Sequence, residues 1–374
     1  VTGKIRADHV GSLLRPEALL DARAAHERGA LPLAELRRVE DEAILAALAM
    51  QREAGVEVCS DGEMRRRSWM GGFHESVEGL GYSERAVGAP PVWMGPGARE
   101  AMADIPIPRI AVREKLRSTK RITGDETPFL GSHAAATFGG PFKITMPSPS
   151  LFMRLWSAEE SKAAYPTRDE LLDDLIAIYL AEVDALLADG VGYIQLDTLR
   201  YLQVIDHGMA VFFGETDPEV VITQTLKADN AVLARAKAGG ATTALHICRG
   251  NHRSAWTASG GYEPLAERVF AEANADRFLL EFDDERSGGF APLRYVPKGR
   301  TVALGLITTK TPALEDPDVL RRRIDEAARY VALDDLALCP QCGFASTYKG
   351  NLLSHDDQRR KLELVADTAR VVWG

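Results

Sequence analysis

Two residues that bind soft metals stand two positions apart in an apolar run: His246 and Cys248 in Ala244-Leu-His-Ile-Cys248. In an extended strand, residues i and i+2 face the same side, so an imidazole and a thiol would project together. A second thiol, Cys342, follows the apolar run Leu336–Pro340, and Glu281 lies near the end of another, Arg277–Phe282. Zinc takes thiolate and imidazole ligands in a tetrahedron, and a site that does chemistry leaves one ligand exchangeable. His246, Cys248 and Cys342, with Glu281 as a weaker oxygen donor, therefore suit a reactive zinc site. The plainer reading is that a lone His and buried Cys are core residues. That reading weakens when several strand ends supply such groups together. Cys339-Pro-Gln-Cys342 could instead be a redox C-x-x-C pair or half of a zinc ribbon. A redox pair normally opens a helix, where the dipole lowers the thiol pKa; this one closes a strand, and no second C-x-x-C completes a ribbon. Cys339 and Cys59 are expected to be core thiols.

The elements that must position these groups alternate between strands and helices. Eight β-rich runs are expected at Arg6–Val10, Val56–Ser60, Phe142–Met146, Val191–Leu196, Thr243–Ile247, Arg277–Phe282, Thr301–Ile307 and Leu336–Pro340. Several are apolar on both faces, as suits parallel strands covered on two sides. Helices are expected at Leu33–Ala54, Thr167–Ala188, Pro218–Ala238, Pro264–Ala273, Asp316–Val331 and His355–Val372. Thr167-Arg-Asp-Glu170 reads as a capping box, and Asp189-Gly190 as a stop. This alternation predicts an α/β protein, a (β/α)₈ TIM barrel, with an insertion at 64–140 between the second and third strands. The insertion carries Gly88-Ala-Pro-Pro and Gly95-Pro-Gly turns and a small hairpin is expected in it. A doubly wound open sheet is the runner-up, but no G-x-G-x-x-G follows an early strand. The chain reads as one domain.

Barrel enzymes carry their chemistry at the C-terminal strand ends. Those ends here hold His9 and Ser12, Asp61 and Glu63, Asp197, His246 and Cys248, Glu281, and Cys342. His9 is a candidate proton relay, with His252 and Asp61 as polar rim residues. Glu63 and Asp197 would together meet an ammonium group. Arg15, Arg65, Arg66, Arg67, Arg200, Arg249 and Arg253 gather near the same ends and could instead hold a sulfonate or carboxylate by paired hydrogen bonds. Among these, Arg15 and Arg249 are the candidate substrate-binding cations.

The 374 residues are 45% hydrophobic and 26% charged, which argues against disorder. A net charge of −9 disfavours a nucleic-acid backbone as partner. No apolar run approaches the roughly 18 residues of a membrane span, and Val1–Asp8 lacks the apolar core of a secretion signal. Four cysteines are too few for a disulfide scaffold. A soluble cytoplasmic enzyme is the expectation, with its oligomeric state, a homo-oligomer included, left open.

The motifs Val10-Gly-Ser-Leu-Leu-Arg-Pro16, Ser60-Asp-Gly-Glu63, Tyr193-Ile-Gln-Leu-Asp197, Leu245-His-Ile-Cys248, Leu280-Glu-Phe-Asp283 and Pro340-Gln-Cys-Gly343 together resemble the catalytic barrel of cobalamin-independent methionine synthase and its shorter single-barrel relatives. The resemblance covers most of the chain. It implies that His246, Cys248, Glu281 and Cys342 hold Zn²⁺, and that Ser12, Glu63 and Asp197 hold the backbone amine and carboxylate of homocysteine. The implied activity is transfer of an alkyl group, most simply methyl, to a thiol that zinc has activated, with Glu281 the ligand most easily displaced. The shorter relatives include an epoxyalkane:coenzyme M transferase, so ring opening of an epoxide is the alternative. Full-length synthases have two barrels and this chain has one, and Thr145-Met-Pro-Ser-Pro-Ser150 lacks the tryptophan of the family's folate-stacking loop. Asp197 continues into Thr-Leu-Arg-Tyr, outside the family's pattern. The alkyl donor stays open between folate, a corrinoid protein, a small S-methyl compound and an epoxide. A metal-free lyase resembling uroporphyrinogen decarboxylases would leave His246, Cys248 and Cys342 without a task, and a non-catalytic zinc-binding protein would close its site with four strong ligands.

Overall fold

The computed structural model describes residues 4–83, 92–104 and 109–374. Six strands form a parallel sheet in chain order: β3 (Ile144–Pro147), β4 (Tyr193–Thr198), β5 (Thr242–Ile247), β6 (Arg277–Glu281), β7 (Thr301–Ile307) and β8 (Leu336–Pro340), preceded by the hairpin strands β1 (Val77–Tyr82) and β2 (Ile110–Ser118). Two extended segments close this sheet into a barrel. Ala7 bridges Leu338 of β8, with Asp8 N donating to Leu338 O at 3.0 Å. Glu57 N donates to Ala7 O at 2.9 Å, and Cys59 bridges Phe142 ahead of β3. The eight expected staves are thus in place around a (β/α)₈ barrel.

The first two staves differ from expectation in being single bridges rather than ladders. The backbone donors between those bridges go to side chains instead. Glu57 accepts from the N–H of Arg6, Asp8 Oδ1 accepts from His9 N at 2.8 Å, and Gln51 Oε1 accepts from Ser60 N at 3.0 Å. Side-chain carboxylates and amides offer the backbone an alternative to the ladder, and here they win.

Helices cover the barrel where the apolar periodicity placed them. Those at Leu33–Ala54 and Pro218–Ala238 match their expected bounds, and His355–Trp373 and Glu263–Glu272 differ by a residue. The helix at Arg168–Ala188 starts from Thr167, whose hydroxyl accepts from Glu170 N at 3.2 Å. The helix expected to reach Val331 ends at Ala327. Leu36, Ile44, Leu48, Leu171, Leu175 and Leu362 pack with the outward faces of the strands in one continuous core.

Between the second and third staves, β1 and β2 pair antiparallel, and the helix Thr127–Thr137 follows. The Gly88-Ala-Pro-Pro turn lies outside the described residues. Met94 and Trp256 exchange backbone hydrogen bonds of 2.8 and 3.0 Å, so this excursion returns to the barrel mouth. Among the described residues, no helix is long and apolar enough to cross a membrane.

Inside the barrel, Ala244, Ala303 and Ala337 are small and leave room for larger polar neighbours. Asp8, fully buried, accepts from Lys143 Nζ at 2.8 Å, Tyr193 Oη at 2.9 Å and Arg277 Nη2 at 3.1 Å. Burial alone would raise the Asp8 carboxyl, but the Lys143 and Arg277 cations hold it well below the usual carboxylate range. A carboxyl depressed in the folded state stabilises it above its unfolded pKa and loses that contribution as pH falls toward the folded value. Asp8→Asn strands two buried cations and should cost about 3–5 kcal/mol at neutral pH. In urea unfolding, that gap from wild type should narrow once pH falls below about 4. A loss within about 0.5 kcal/mol, the range of a surface change, would show that the barrel does not depend on this cluster.

Candidate metal centre and substrate pocket

The C-terminal ends of the strands surround a pocket enclosing about 390 Å³ of space, part of it open to solvent. Ladder register sets its walls: Asp197 of β4 stands beside His246 of β5, and both side chains face inward. Cys248 follows β5 by one residue and Cys342 follows β8 by two. The donor atoms of His246, Cys248 and Cys342 lie within 4.8 Å of one another, and all three residues are buried. The sulfurs are 3.4 Å apart, too far for a disulfide, whose S–S bond is about 2.05 Å. His246 Nδ1 faces the backbone carbonyl of Leu279 at 3.1 Å. That bond fixes the tautomer that leaves Nε2 as the free donor, and Nε2 is buried with no hydrogen-bond partner. An imidazole oriented by a carbonyl, with two thiols beside its vacant nitrogen, fits a soft cation such as zinc.

The ionisable groups of this cluster shift one another strongly. The Cys342 thiol is pulled down to about 5, first by a hydrogen bond with Cys248 and, against burial, by His246. Cys248 is pushed up as its partner. Burial lowers His246, but the hydrogen bond and negative charge of Cys342, followed by Asp197 and Glu281, outweigh it and raise the imidazole to about 9, so a binding cation would displace a proton from it.

Glu281, expected as the fourth ligand, stands outside the three-residue grouping. Its Oε1 accepts from Arg249 N at 2.6 Å and its Oε2 from Arg286 Nη2 at 3.1 Å.

Across the pocket, Glu63 sits in the left-handed region at φ 57°, held there by Asp61 Oδ1 accepting from its N–H at 2.8 Å. Its Oε1 accepts from Thr145 Oγ1 at 2.9 Å, and its Oε2 is buried with no donor. Asp197 Oδ1 accepts from Gln195 Nε2 at 2.8 Å. Burial, helped by the negative Glu63, pushes the Asp197 carboxyl up to about 7. Ser12 also lines the pocket, and Gly343 lies against it. A Cβ on Gly343 would stand 1.9 Å from Ser12 Oγ, so a side chain there would force the Ser12 hydroxyl out of its present position.

Three expected site residues lie elsewhere. Period-two alternation turns Asp8 into the barrel and His9 out of it, where Nε2 faces Val58 O at 3.1 Å. Burial first, and Lys143 second, bring His9 down to about 3. It is a neutral packing residue that does not line the pocket, and no proton relay follows from its position. Arg15 donates to the carbonyls of Leu13, Ala345 and Glu63 at 2.7–3.0 Å. Arg249 donates to the Gly260 carbonyl at 2.9 Å and to Tyr262 Oη at 2.7 Å, with its guanidinium over the Tyr262 ring. Both guanidiniums staple loops. Arg65 pairs with Glu40 and Asp41, Arg66 with Glu126 and, at 3.6 Å, with Glu63 Oε1, and Arg67 with Glu27. Among the described residues, no lysine or arginine lines the pocket.

Trp69, Asn251 and Ser346 line the pocket without having been singled out. Trp69 fell within the stretch taken as an insertion. Asn251 sits three residues beyond Cys248, where its Nδ2 donates to Gly343 O at 2.7 Å. A polar residue so soon after the strand that carries His246 was the available signal.

Residues 150–360 match the family of the cobalamin-independent synthase catalytic domain. The chain belongs to that family. This membership makes it an enzyme of the methyltransferase class and agrees with the resemblance read from its motifs. It is 38% identical to the Bacillus subtilis protein YxjH, over 98% of this chain and 94% of that one. The methionine synthase of Pyrococcus abyssi is 24% identical over 89% of this chain and 84% of its own length. Among solved structures, the putative vitamin-B12 independent methionine synthase from Listeria monocytogenes has a TM-score of 0.76 and 29% identity. The match covers 100% of this chain and 99% of that one.

The metal reading predicts which thiols matter. Zinc added to metal-free protein should bind at about one per chain, and Cys248→Ala or Cys342→Ala should abolish tight binding. Cys59→Ala and Cys339→Ala should retain it, because Cys59 packs in the outer core and Cys339 inside the barrel. Metal analysis after dialysis reads the result; equal loss in Cys339→Ala and Cys342→Ala would refute the assignment.

Proposed function

We propose that this methyltransferase alkylates the sulfur of a small thiol bearing an ammonium group, homocysteine or a close analogue, with zinc as cofactor. The observation that carries the reading is the pocket's charge pattern. Glu63 and Asp197 face the space beside the His246–Cys248–Cys342 group, Glu63 Oε2 lacks a donor while Arg66 stands 3.6 Å from its Oε1, and among the described residues no lysine or arginine lines the cavity. A sulfonate thiol such as coenzyme M would need the opposite charge there, and the arginines that could have supplied it are committed to carbonyls and carboxylates.

In this mechanism His246, Cys248 and Cys342 would hold the zinc, with Glu281 as the candidate fourth ligand. Zinc, when bound, would lower the pKa of an entering thiol so that it reacts as thiolate at neutral pH. The protein's side chains then position the acceptor. Glu63 and Asp197 would take the ammonium, and the hydroxyls of Ser12 and Ser346 lie where a carboxylate would find donors, with Asn251 orienting Ser346 at 3.2 Å. Trp69 and Leu199 supply the apolar side of the pocket, suited to excluding water from the transferred methyl. Sulfur attacks the methyl carbon, the new S–C bond forms, and the bond from methyl to the donor breaks with its electron pair leaving on the donor. The donor is a separate molecule, with folates, corrinoid proteins and small S-methyl compounds as candidates.

Kinetics on one variant tests the acceptor. Removing a carboxylate opposite a desolvated ammonium costs about 2–5 kcal/mol. Glu63→Gln should therefore lower kcat/KM for homocysteine by more than about tenfold while zinc content stays unchanged. Unchanged kcat/KM for homocysteine, or better use of a sulfonate thiol by wild type, would refute the reading.

A further inference from the structure

Glu281 is fully buried, and each of its oxygens already has a donor: the Arg249 backbone N–H on Oε1, the Arg286 guanidinium on Oε2. Arg286 is shared among three carboxylates. The nitrogen that reaches Glu281 also donates to Asp283 Oδ1 at 2.9 Å, while Nη1 donates to Asp284 Oδ2 at 3.0 Å. The contact to Glu281 is the longest of the three, so losing it leaves the guanidinium still paired. The guanidinium carbon lies 4.6 Å from the centroid of the Trp256 ring. Trp256 is seated in turn by the segment returning from the 64–140 excursion. Gly95, at φ +95°, lies so close that a Cβ would stand 2.0 Å from the indole ring.

We propose that Arg286, braced by Trp256, is a positioning residue: it holds Glu281 Oε2 away from the His246–Cys248–Cys342 group and takes it back when an incoming thiol displaces it from the cation. The inference rests on the reading of that group as a zinc site. Charge supports it. Two thiolates and one carboxylate around a divalent cation leave one negative charge, and Arg286, with Lys310 3.6 Å from Asp283, is a cation that offsets part of what this group, Asp283 and Asp284 bring to a buried site. The Arg249 N–H is the fixed hinge, because a backbone donor stays on Oε1 whichever way Oε2 turns.

Zinc release separates this role from a merely structural one, since loosening the site should speed release. Arg286→Met leaves Oε2 free for the metal, so transfer of zinc to a chelator should slow by about tenfold, the scale of outer-shell effects on affinity. The KM for the thiol should rise, because the carboxylate has nowhere to go when the thiol enters. Arg286→Lys, which keeps a cation at the position, should stay near wild type in both measurements and guards against a simple folding defect. In a Glu281→Gln background, Arg286→Met should leave zinc release unchanged. Unaltered or faster release from Arg286→Met, or an equal slowing in the Glu281→Gln background, would overturn the proposal. A wild-type protein that takes up no zinc would overturn the metal reading first, and the positioning role with it.

Discussion

The buried carboxylate of Asp8 is the constraint on which barrel and pocket both depend. A barrel interior is ordinarily filled by layers of branched aliphatic side chains. Here a lysine, an arginine and an aspartate meet inside, and burying unpaired charge there would be prohibitive. Asp8 therefore accepts from Lys143, Arg277 and Tyr193 together, tying the first stave to β4, β6 and the lead-in to β3. Lys143 also donates to Gln195 Oε1 at 2.9 Å. The amide of Gln195 then donates upward to Val10 O and to Asp197 Oδ1. Hydrogen bonds thus run without a break from the charged interior of the barrel to a carboxylate in the pocket wall.

That continuity explains how a pocket built from loop ends keeps its geometry. Asp197 is oriented by an amide whose other atom is held by an ion pair deep in the barrel. Glu63 is oriented by Thr145 of β3, and its strained backbone by Asp61. His246 is oriented by a β6 carbonyl. Glu63 and His246 are held by groups on neighbouring staves, and Asp197 by Gln195 of its own strand, itself tied to the first stave through Val10 O, so the mouth inherits the rigidity of the closed sheet. Elements that supply no chemistry yield space: Gly305 of β7 has Leu280 O and Gln341 Cα within 2.7 Å of where a Cβ would be.

How far the sequence could be read follows from which interactions are local. Continuous apolar runs marked the staves, and His246, Cys248 and Cys342 stood out because strand ends concentrate chemistry. The first two staves looked like ordinary strands, since nothing in Arg6–Val10 announces that Glu57 will take its backbone donors. His9 was legible in principle. The alternation that sends Asp8 inward sends His9 outward, but proximity to Ser12 seemed the stronger signal. Trp69 stayed hidden because its place at the mouth depends on a long excursion folding back, with Trp69 N donating to Ser346 O at 2.8 Å.

The arginines carry a more general point about reading a rim. Seven near the strand ends suggested an anion site, yet a (β/α)₈ mouth is built of loops whose carbonyls lack ladder partners, and buried carbonyls require donors. Arginine, with five donors in a rigid fork, meets several of them at once. Arg15 alone reaches the carbonyls of Leu13, Glu63 and Ala345, so it fixes the turn that presents Glu63 to the cavity. Cations consumed in this way leave carboxylates as the charges presented to the space beside the metal group. The proposed choice of a positively charged ligand therefore rests on how the arginines are paired. Their number in the sequence pointed the other way.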